Sequence, residues 1–235
     1  MTEHTHKQFD AEMEAIRSGV LAMGGLVETQ LARAIALLEG RDDGALVEQV
    51  VADEQRINQM QVDMDQQCSQ IIAKRQPAAI DLRMILTVTK IVNDLERVGD
   101  EGKKVAKKAS LAAQNPRLTQ VRYFDVARAA ERARAMLQRA LDAFARLDVD
   151  AAAEVIDLDD EIDAAFSAVL RQLISYMMED PRTISPALEI VFIAKSVERI
   201  GDHAKNIAEA VVQVVKGIDV RHATADQIRA EVAEE

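Results

Sequence analysis

Apolar residues recur at alternating spacings of three and four positions over very long stretches of this chain. Side chains at such spacings share one narrow stripe of an α-helix. The pattern therefore predicts an all-α fold of long helices that pack along their stripes. In the first helix the stripe consists of Phe9, Met13, Ile16, Val20, Met23 and Val27.

Breaking residues divide this pattern into six helices. The first should end near Gly40, before a turn over 41–44, and the second near Gln76. Pro77 suits the first turn of a third helix, because proline cannot continue a helix interior. The fourth helix follows Asn115–Pro116, and further breaks are expected at 148–150, at 180–186 and near Gly217. Each helix would be about 45 Å long, and short connections make neighbours antiparallel.

The third and sixth helices repeat each other at an offset of 102 residues. Segments 88–106 and 190–208 are identical at seven of nineteen positions, and their apolar stripes also match. One bundle of three helices has therefore been duplicated. The sequence predicts two tandem three-helix bundles of long antiparallel helices, over 1–116 and 117–217, and an acidic, frayed C-terminal tail over 218–235.

The net charge of −11 argues against a general nucleic-acid binder, which needs a clustered positive surface. The exception is a basic run in the third helix, for which a solvated helix face is the expected role and a basic docking patch the alternative. The run consists of Lys103, Lys104, Lys107 and Lys108.

Sequence signals of catalysis and secretion are missing. The chain has no phosphate-binding glycine loop, no dinucleotide-binding turn and no H-E-x-x-H helix, so we expect no enzyme. Its single cysteine, Cys68, falls at an apolar helix position, where a small buried thiol is the ordinary role. There is no run of about 18 apolar residues and no signal-peptide layout at the N-terminus, which predicts a cytoplasmic protein.

Two pairs of carboxylates lie beside the repeated stripe. Glu96 and Asp100 in ERVGD, and Glu198 and Asp202 in ERIGD, are each four residues apart and so share one helical face. Like charges at this spacing repel each other by a few tenths of a kcal/mol. Their repeated presence needs an explanation.

A second row of such positions lies on the second and fifth helices, at Glu54 and Asn58 and at Asp159 and Asp163. Glu54 and Asp159 interrupt apolar stripes, so each should point into a packed seam and require a partner. Glu54 precedes Pro77 by as many residues as Asp100 follows it, so antiparallel packing would bring the two level. The second bundle repeats this arrangement.

Two interpretations of these clusters stay open. Oxygen ligands without cysteine suit Mg²⁺, Ca²⁺ or Mn²⁺, and carboxylate clusters also hold iron. The candidate metals are iron, zinc, magnesium and manganese, and the sequence does not say which. His203, next to Asp202, could add a nitrogen ligand. Alternatively, Arg97, Arg199 or nearby lysines neutralise the acids in ordinary salt bridges. A general acid and base pair is disfavoured, because nothing predicts a substrate cleft.

The repeated helices carry a resemblance to a known family. LEIVFIAKSVERIGDHAKNIAE at 188–209 is similar to the signature helix of the PhoU family of phosphate-uptake regulators. DLRMILTVTKIVNDLERVGDEGKKVAKKA at 81–109 resembles the other family copy, and MGGLVE at 23–28 fits as well. The resemblance covers nearly the whole chain.

This resemblance implies two three-helix bundles, a homodimer, and paired [ED]-x-x-x-D motifs that hold clusters of iron or other metals in some members. The chain departs from the motif at Asn58, where aspartate is expected, which makes metal in the first bundle more doubtful. The implied metal ligands are Glu54, Glu96 and Asp100 in the first bundle and Asp159, Asp163, Glu198 and Asp202 in the second.

The role implied by the resemblance is negative regulation of phosphate uptake and of the phosphate-starvation response. The protein would be a cytoplasmic adaptor between the ATPase subunit of the phosphate ABC transporter and a membrane sensor histidine kinase. Two alternatives remain. One is an iron-handling bundle of the ferritin kind, against which the absence of Glu-x-x-His from the six predicted helices, the first counted from its stripe residue Phe9, argues. The other is a structural scaffold.

Overall fold

The chain is almost entirely helical in the part that the structure, a computed structural model, describes: residues 2–41, 44–113, 123–220 and 227. No strand occurs in these ranges, so the predicted all-α class is confirmed. The helices are α1 (Thr2–Leu38), α2 (Leu46–Arg75), α3 (Ala79–Ala113), α4 (Tyr123–Arg146), α5 (Val149–Glu179) and α6 (Ile184–Lys216), with a 3₁₀ turn at Pro181–Thr183 before α6.

The helix ends differ from the prediction at two prolines. α3 begins at Ala79, two residues after Pro77. Pro186 was expected to lie in the break before the sixth helix, but it lies in the first turn of α6, where a missing N–H costs no intrahelical hydrogen bond. The predicted boundary at 116/117 and most of the predicted tail, 221–226 and 228–235, lie outside the described residues.

Capping residues define the start of α5 and the end of α6. Asp148 caps α5, its carboxylate accepting a hydrogen bond from the Ala151 N–H at 2.9 Å. α6 ends at Gly217, whose φ of +79° is the left-handed conformation that glycine adopts most easily. The Gly217 N–H donates to the Gln213 carbonyl at 3.0 Å and satisfies one terminal carbonyl of the helix.

Helices α1, α2 and α3 pack together as one bundle, and α4, α5 and α6 pack as the other. The bundles lie side by side, with α3 against α6 and α1 against α4. At Gly24 of α1 an added Cβ would lie 2.6 Å from Cδ1 of Leu141 on α4, so this helix pair approaches closely. Buried apolar residues form one continuous core through both bundles.

One helix has the length and composition of a membrane span. The segment Lys7–Leu38 contains an apolar window with a mean hydropathy of 1.3, although no such run was expected from the sequence. Half of that window is buried inside the bundle, as in the core helix of a soluble protein, so the similarity is weak evidence for a membrane span. Ile16, Val20 and Met23 of this segment are fully buried.

Cys68 lies in the core of the first bundle, as its apolar position predicted. Its side chain is buried, and burial raises the pKa of the thiol above its usual value. A thiolate is the reactive form of cysteine, so this environment suppresses its chemistry.

Candidate metal centre and its paired lysines

Glycines of the two repeated motifs bring the acidic helices together. A Cβ on Gly99 of α3 would lie 3.1 Å from Cδ1 of Ile57 on α2. At the equivalent place in the second bundle, a Cβ on Gly201 of α6 would lie 3.1 Å from Cγ2 of Ile162 on α5. Both contacts are tight, so glycine permits the close helix approach that places the carboxylates of the paired helices side by side.

A lysine pairs with the buried acid in each bundle. Glu54 and Asp159 are each 5% exposed. Nζ of Lys103 lies 2.6 Å from Oε1 of Glu54, and Nζ of Lys205 lies 2.8 Å from Oδ2 of Asp159. The two lysines are 102 residues apart, the offset of the repeat. The same ion pair has thus been kept in both copies, and it meets the requirement of a carboxylate in a packed seam for a partner.

In the first bundle a lysine and an amide both contact the buried acid. Asn58 donates to Oε1 of Glu54 at 2.9 Å, and Lys103 also lies 3.8 Å from Asp100. Burial raises the pKa of Glu54, but hydrogen bonds from Lys103 and Asn58 outweigh it and leave that pKa lowered. Burial, and then the charges of Asp100 and Glu54, raise the pKa of Glu96. One lysine and one amide therefore already satisfy the central acid.

The second bundle gathers more carboxylates around its lysine. Asp163, Glu198 and Asp202 each offer an oxygen within 4.8 Å of the others, and they form the one such group found in the described part of the chain. Asp159 borders this group, and its Oδ1 is buried with no hydrogen-bond partner among the described residues. Where the first bundle has Asn58, the second has Asp163, so a neutral amide is replaced by an acid.

Repulsion among the acids of the second bundle raises the pKa of two of them. Burial raises the pKa of Asp163, and the charges of Asp159 and Glu198 raise it further. Burial likewise raises the pKa of Asp202, with contributions from Glu198 and Asp159. Lys205 and Lys195 oppose these shifts without cancelling them. The group therefore carries an excess of negative charge, which a bound cation would relieve.

The residues of the second bundle fit a divalent metal, and those of the first bundle fit it less well. The carboxylates of Asp163, Glu198 and Asp202 converge beside an unpartnered buried oxygen of Asp159, which is a suitable ligand set for an oxygen-seeking cation. Glu198 also pairs with Lys195 at 2.5 Å, so a bound cation would compete with that lysine. The predicted ligands Glu54, Glu96 and Asp100 lie on one side of the first bundle but form no comparable group within the described residues.

Two of the other predicted basic partners, His203 and Arg199, contact acids outside the carboxylate groups. His203, a candidate nitrogen ligand, points to α3, where its Nδ1 lies 2.8 Å from Oδ1 of Asp94. Nη1 of Arg199 lies 3.0 Å from Oε1 of Glu101, across the boundary between the bundles. Of the two motif arginines, only Arg97 touches a motif acid, at 3.6 Å from Glu96. His203 therefore lies outside the carboxylate group in this structure, and its role as a ligand stays a prediction.

From the sequence, the basic run of α3 was expected to be a solvated face, and nearby lysines were named as possible partners of the acids without singling out Lys103. Its side chain is only 26% exposed and contacts Glu54, and Lys108 of the same run reaches Glu189 of α6 at 2.6 Å. The signal was present in the repeat, because ERVGDEGK and ERIGDHAK end in the same residue. Lys104 and Lys107 are exposed, as the prediction required.

Replacing Lys205 by methionine should destabilise the metal-free protein. The change leaves Asp159 buried without its cation, and an unsatisfied buried polar group costs about 1–3 kcal/mol. Urea unfolding in the presence of a chelator measures the loss. Lys107→Met, on an exposed position of the equivalent helix, should change the free energy of unfolding by less than about 0.5 kcal/mol. Equal effects of the two substitutions would contradict this assignment.

Mild acidification should stabilise the metal-free protein through Asp163 and Asp202. A carboxyl whose pKa is raised in the fold destabilises the native state at neutral pH. This destabilisation is relieved as the pH falls through the raised pKa of the folded state towards the ordinary pKa of 3.8. Asp202→Asn should therefore unfold at a higher temperature than the wild type at pH 7, and the difference should shrink on acidification. Asp63→Asn, on an exposed position, is the control.

Comparison with known proteins gives a consistent result across the chain. The model of the PhoU domain family matches residues 20–109 and 126–211. A phosphate-specific transport system accessory protein PhoU homolog from Pseudomonas putida is 46% identical over 99% of this chain and 90% of its own length. The protein named phosphate-specific transport system accessory protein PhoU in Escherichia coli K12 is 40% identical over 97% of this chain and 93% of its own length.

Solved structures agree with the sequence matches. The crystal structure of PhoU from Pseudomonas aeruginosa superimposes with a TM-score of 0.85 at 47% identity and covers 89% of this chain and 100% of that chain. The phosphate transport system regulatory protein PhoU from Streptococcus pneumoniae superimposes with a TM-score of 0.81 at 26% identity, over 90% of this chain and 99% of its own. By its duplicated sequence and its helical architecture, the chain belongs to the PhoU family.

Proposed function

We propose that this protein is a cytoplasmic negative regulator of phosphate uptake and of the phosphate-starvation response. The observation that carries the proposal is likeness along the whole chain, in sequence and in fold, to proteins named accessory or regulatory proteins of phosphate transport. Those names describe accessory and regulatory roles, and we assign no catalytic step to this chain.

In this proposal the protein is an adaptor. One surface contacts the ATPase subunit of the phosphate ABC transporter, another contacts a membrane sensor histidine kinase, and the protein reaches the membrane only through these partners. Two bundles that share one core support the idea, because they pack side by side and each leaves outer helix faces uncovered. A homodimer is part of the proposal on the strength of the family resemblance. Nucleic acid is not, given the net charge of −11.

A second role, metal binding, is favoured by the carboxylates of the second bundle. Asp163, Glu198 and Asp202 would hold the metal, with Asp159 supplying a further oxygen. Bound there, a cation would neutralise the group and tie α5 to α6. We propose that the metal is structural or regulatory.

Deletion and complementation test the regulatory proposal. In a bacterium that encodes this chain, deletion should derepress a phosphate-responsive reporter in phosphate-rich medium, and the wild-type gene should restore repression. A two-hybrid assay against the transporter ATPase and the kinase measures the adaptor contacts, with the empty bait as the control. Unchanged reporter activity after deletion, or binding to neither partner, would refute the proposal.

A further inference from the structure

A polar cleft of about 490 Å³ lies on the outside of the molecule, between α2, α3 and the last turns of α6, and we call it the α3 cleft. Its volume falls in the range of about 300–1,000 Å³ that small-molecule sites occupy. None of the seven predicted metal ligands lines it. The α3 cleft is therefore a separate feature from the carboxylate groups described above.

Three polar side chains of α3 line one side of the cleft. Arg83, Thr87 and Lys90 are spaced at i, i+4 and i+7, so they share one face of the helix. This face meets the end of α6. Nη1 of Arg83 lies 3.5 Å from the Val214 carbonyl oxygen, and Nζ of Lys90 lies 2.7 Å from Oε1 of Gln213. The cleft thus lies at the border between the two bundles.

Arg83 has hydrogen-bond donors that the protein does not use. The other half-buried arginines in the described part of the chain each pair with a carboxylate, whereas Arg83 contacts only a carbonyl at the limit of hydrogen-bonding distance. A guanidinium has five N–H donors in a planar fork that matches carboxylate and phosphate groups. Arg83 is therefore available to an anion that enters the cleft.

Thr87 gives an independent indication of a ligand. Its side chain is only 2% exposed and lines the cleft, yet its hydroxyl makes no hydrogen bond to any described residue. Thr89, two residues further on, donates back to the Ile85 carbonyl at 3.0 Å, which is a common arrangement for threonine in a helix. A buried polar group without a partner is unusual and unfavourable. A ligand oxygen in the cleft would supply that partner.

The duplicated half shows that packing does not require these three residues. At the offset of 102, the equivalents of Arg83, Thr87 and Lys90 are Ser185, Glu189 and Phe192. The second copy therefore has neither the cations nor the threonine hydroxyl, although the neighbouring stripe position is apolar in both copies.

The charges of the cleft favour a phosphoryl group. Arg83 and Lys90 face one acid, Asp65 on α2, so the lining has a net charge of +1 in a chain of net charge −11. Within the described residues neither cation forms an ion pair. A phosphoryl group has three acceptor oxygens and a charge of about −1.5 to −2. It therefore matches two cations and one hydroxyl, and hydrogen bonds between charged partners are the strong ones.

We propose that the α3 cleft binds a phosphoryl group, whose oxygens accept hydrogen bonds from Arg83, Thr87 and Lys90. Inorganic phosphate and the phosphate ester of a small metabolite both carry this group, and the cleft has room for the organic part of an ester. The inference goes beyond the proposed regulatory function, to which it adds a ligand site. Since Lys90 now contacts Gln213, a ligand that binds Lys90 would also alter the contact between α3 and α6.

Isothermal titration calorimetry of the purified full-length chain tests the proposal. A chelator is present throughout, so that phosphate cannot bind through a metal at the second bundle. We expect inorganic phosphate, AMP or both to bind at one site per chain with a Kd of about 1 mM or tighter, and adenosine not to bind. Tighter binding of AMP would identify an ester as the source, and equal binding would identify free phosphate. Binding of neither phosphate nor AMP would overturn the proposal.

Neutral substitutions of the two cations test the position of the site. Arg83→Gln and Lys90→Gln should each weaken binding by about tenfold, because each removes a charged donor. Lys107→Gln changes the net charge equally, at an exposed position of the same helix, and should leave the Kd unchanged. Equal weakening by all three substitutions would show only general charge attraction and would contradict a site in the cleft.

Thr87→Val separates a ligand contact from a structural role. The change removes the unpaired hydroxyl and keeps the shape of the side chain, so it should keep or raise the melting temperature while it weakens binding several-fold. A lower melting temperature with an unchanged Kd would mean that the hydroxyl is structural and would refute its part in the site. These measurements use purified protein, so they decide on the cleft whether or not the chain represses a phosphate-responsive reporter.

Discussion

Replacing Asp202 by alanine should leave the second bundle without metal while the fold persists. Asp202 supplies one of three carboxylates whose oxygens converge within 4.8 Å, so its removal opens the ligand set. Its pKa is raised by burial and by neighbouring acids, so losing its charge should not destabilise the metal-free protein. Elemental mass spectrometry of protein purified without an affinity tag measures the metal directly.

The internal repeat provides the control for this experiment. Asp100 is the equivalent of Asp202 in the first bundle, where Lys103 and Asn58 already satisfy the central acid. Asp100→Ala should therefore keep the metal content of the wild type. Added metal should also raise the melting temperature of the wild type and of Asp100→Ala, but not that of Asp202→Ala. A wild-type protein that stays metal-free after incubation with iron, zinc, magnesium and manganese would refute the metal centre.

Replacing Phe144 by alanine should cost about 3–5 kcal/mol of unfolding free energy, the range measured when a buried aromatic side chain is truncated. Phe144 is fully buried in α4 and is the largest of the inaccessible side chains in the described core. A loss of this size is a substantial part of the 5–15 kcal/mol that ordinarily separates native from unfolded protein. Urea unfolding followed by circular dichroism measures it.

Phe124, near the start of the same helix, is the control for Phe144. It is 71% exposed, so Phe124→Ala should change the free energy of unfolding by less than about 0.5 kcal/mol. Because one core runs through both bundles, we expect Phe144→Ala to shift a single transition rather than to split it. Two transitions, with only the later half of the chain affected, would contradict the shared core.

The architecture was predictable because it depends on patterns that local sequence contains. Stripes of the kind that includes Ile16 and Val20 specify which side of each helix is buried, and the repeat specifies that the two halves fold alike. The carboxylate positions followed from the same periodicity together with helix length. Glu54 and Asp159 were expected in the packed seam, and both are buried there.

The partners of those carboxylates were harder to predict, because they depend on contacts between helices. Lys103 on α3 contacts Glu54 on α2, and His203 in the second bundle contacts Asp94 in the first. Periodicity places a residue on a helix face but not the neighbour that the face meets. The α3 cleft escaped notice for the same reason, since a polar residue outside the stripe, such as Arg83, looks ordinary until its surroundings are known.

The buried thiol of Cys68 can report how often the first bundle opens. A thiol reagent can reach the sulfur only when the first bundle opens, and the chain has no other cysteine to complicate the signal. The rate of thiol labelling therefore measures the local opening of that bundle, and no engineered probe is needed. Measured with and without metal at the second bundle, the same rate would show whether binding in one bundle changes the opening of the other.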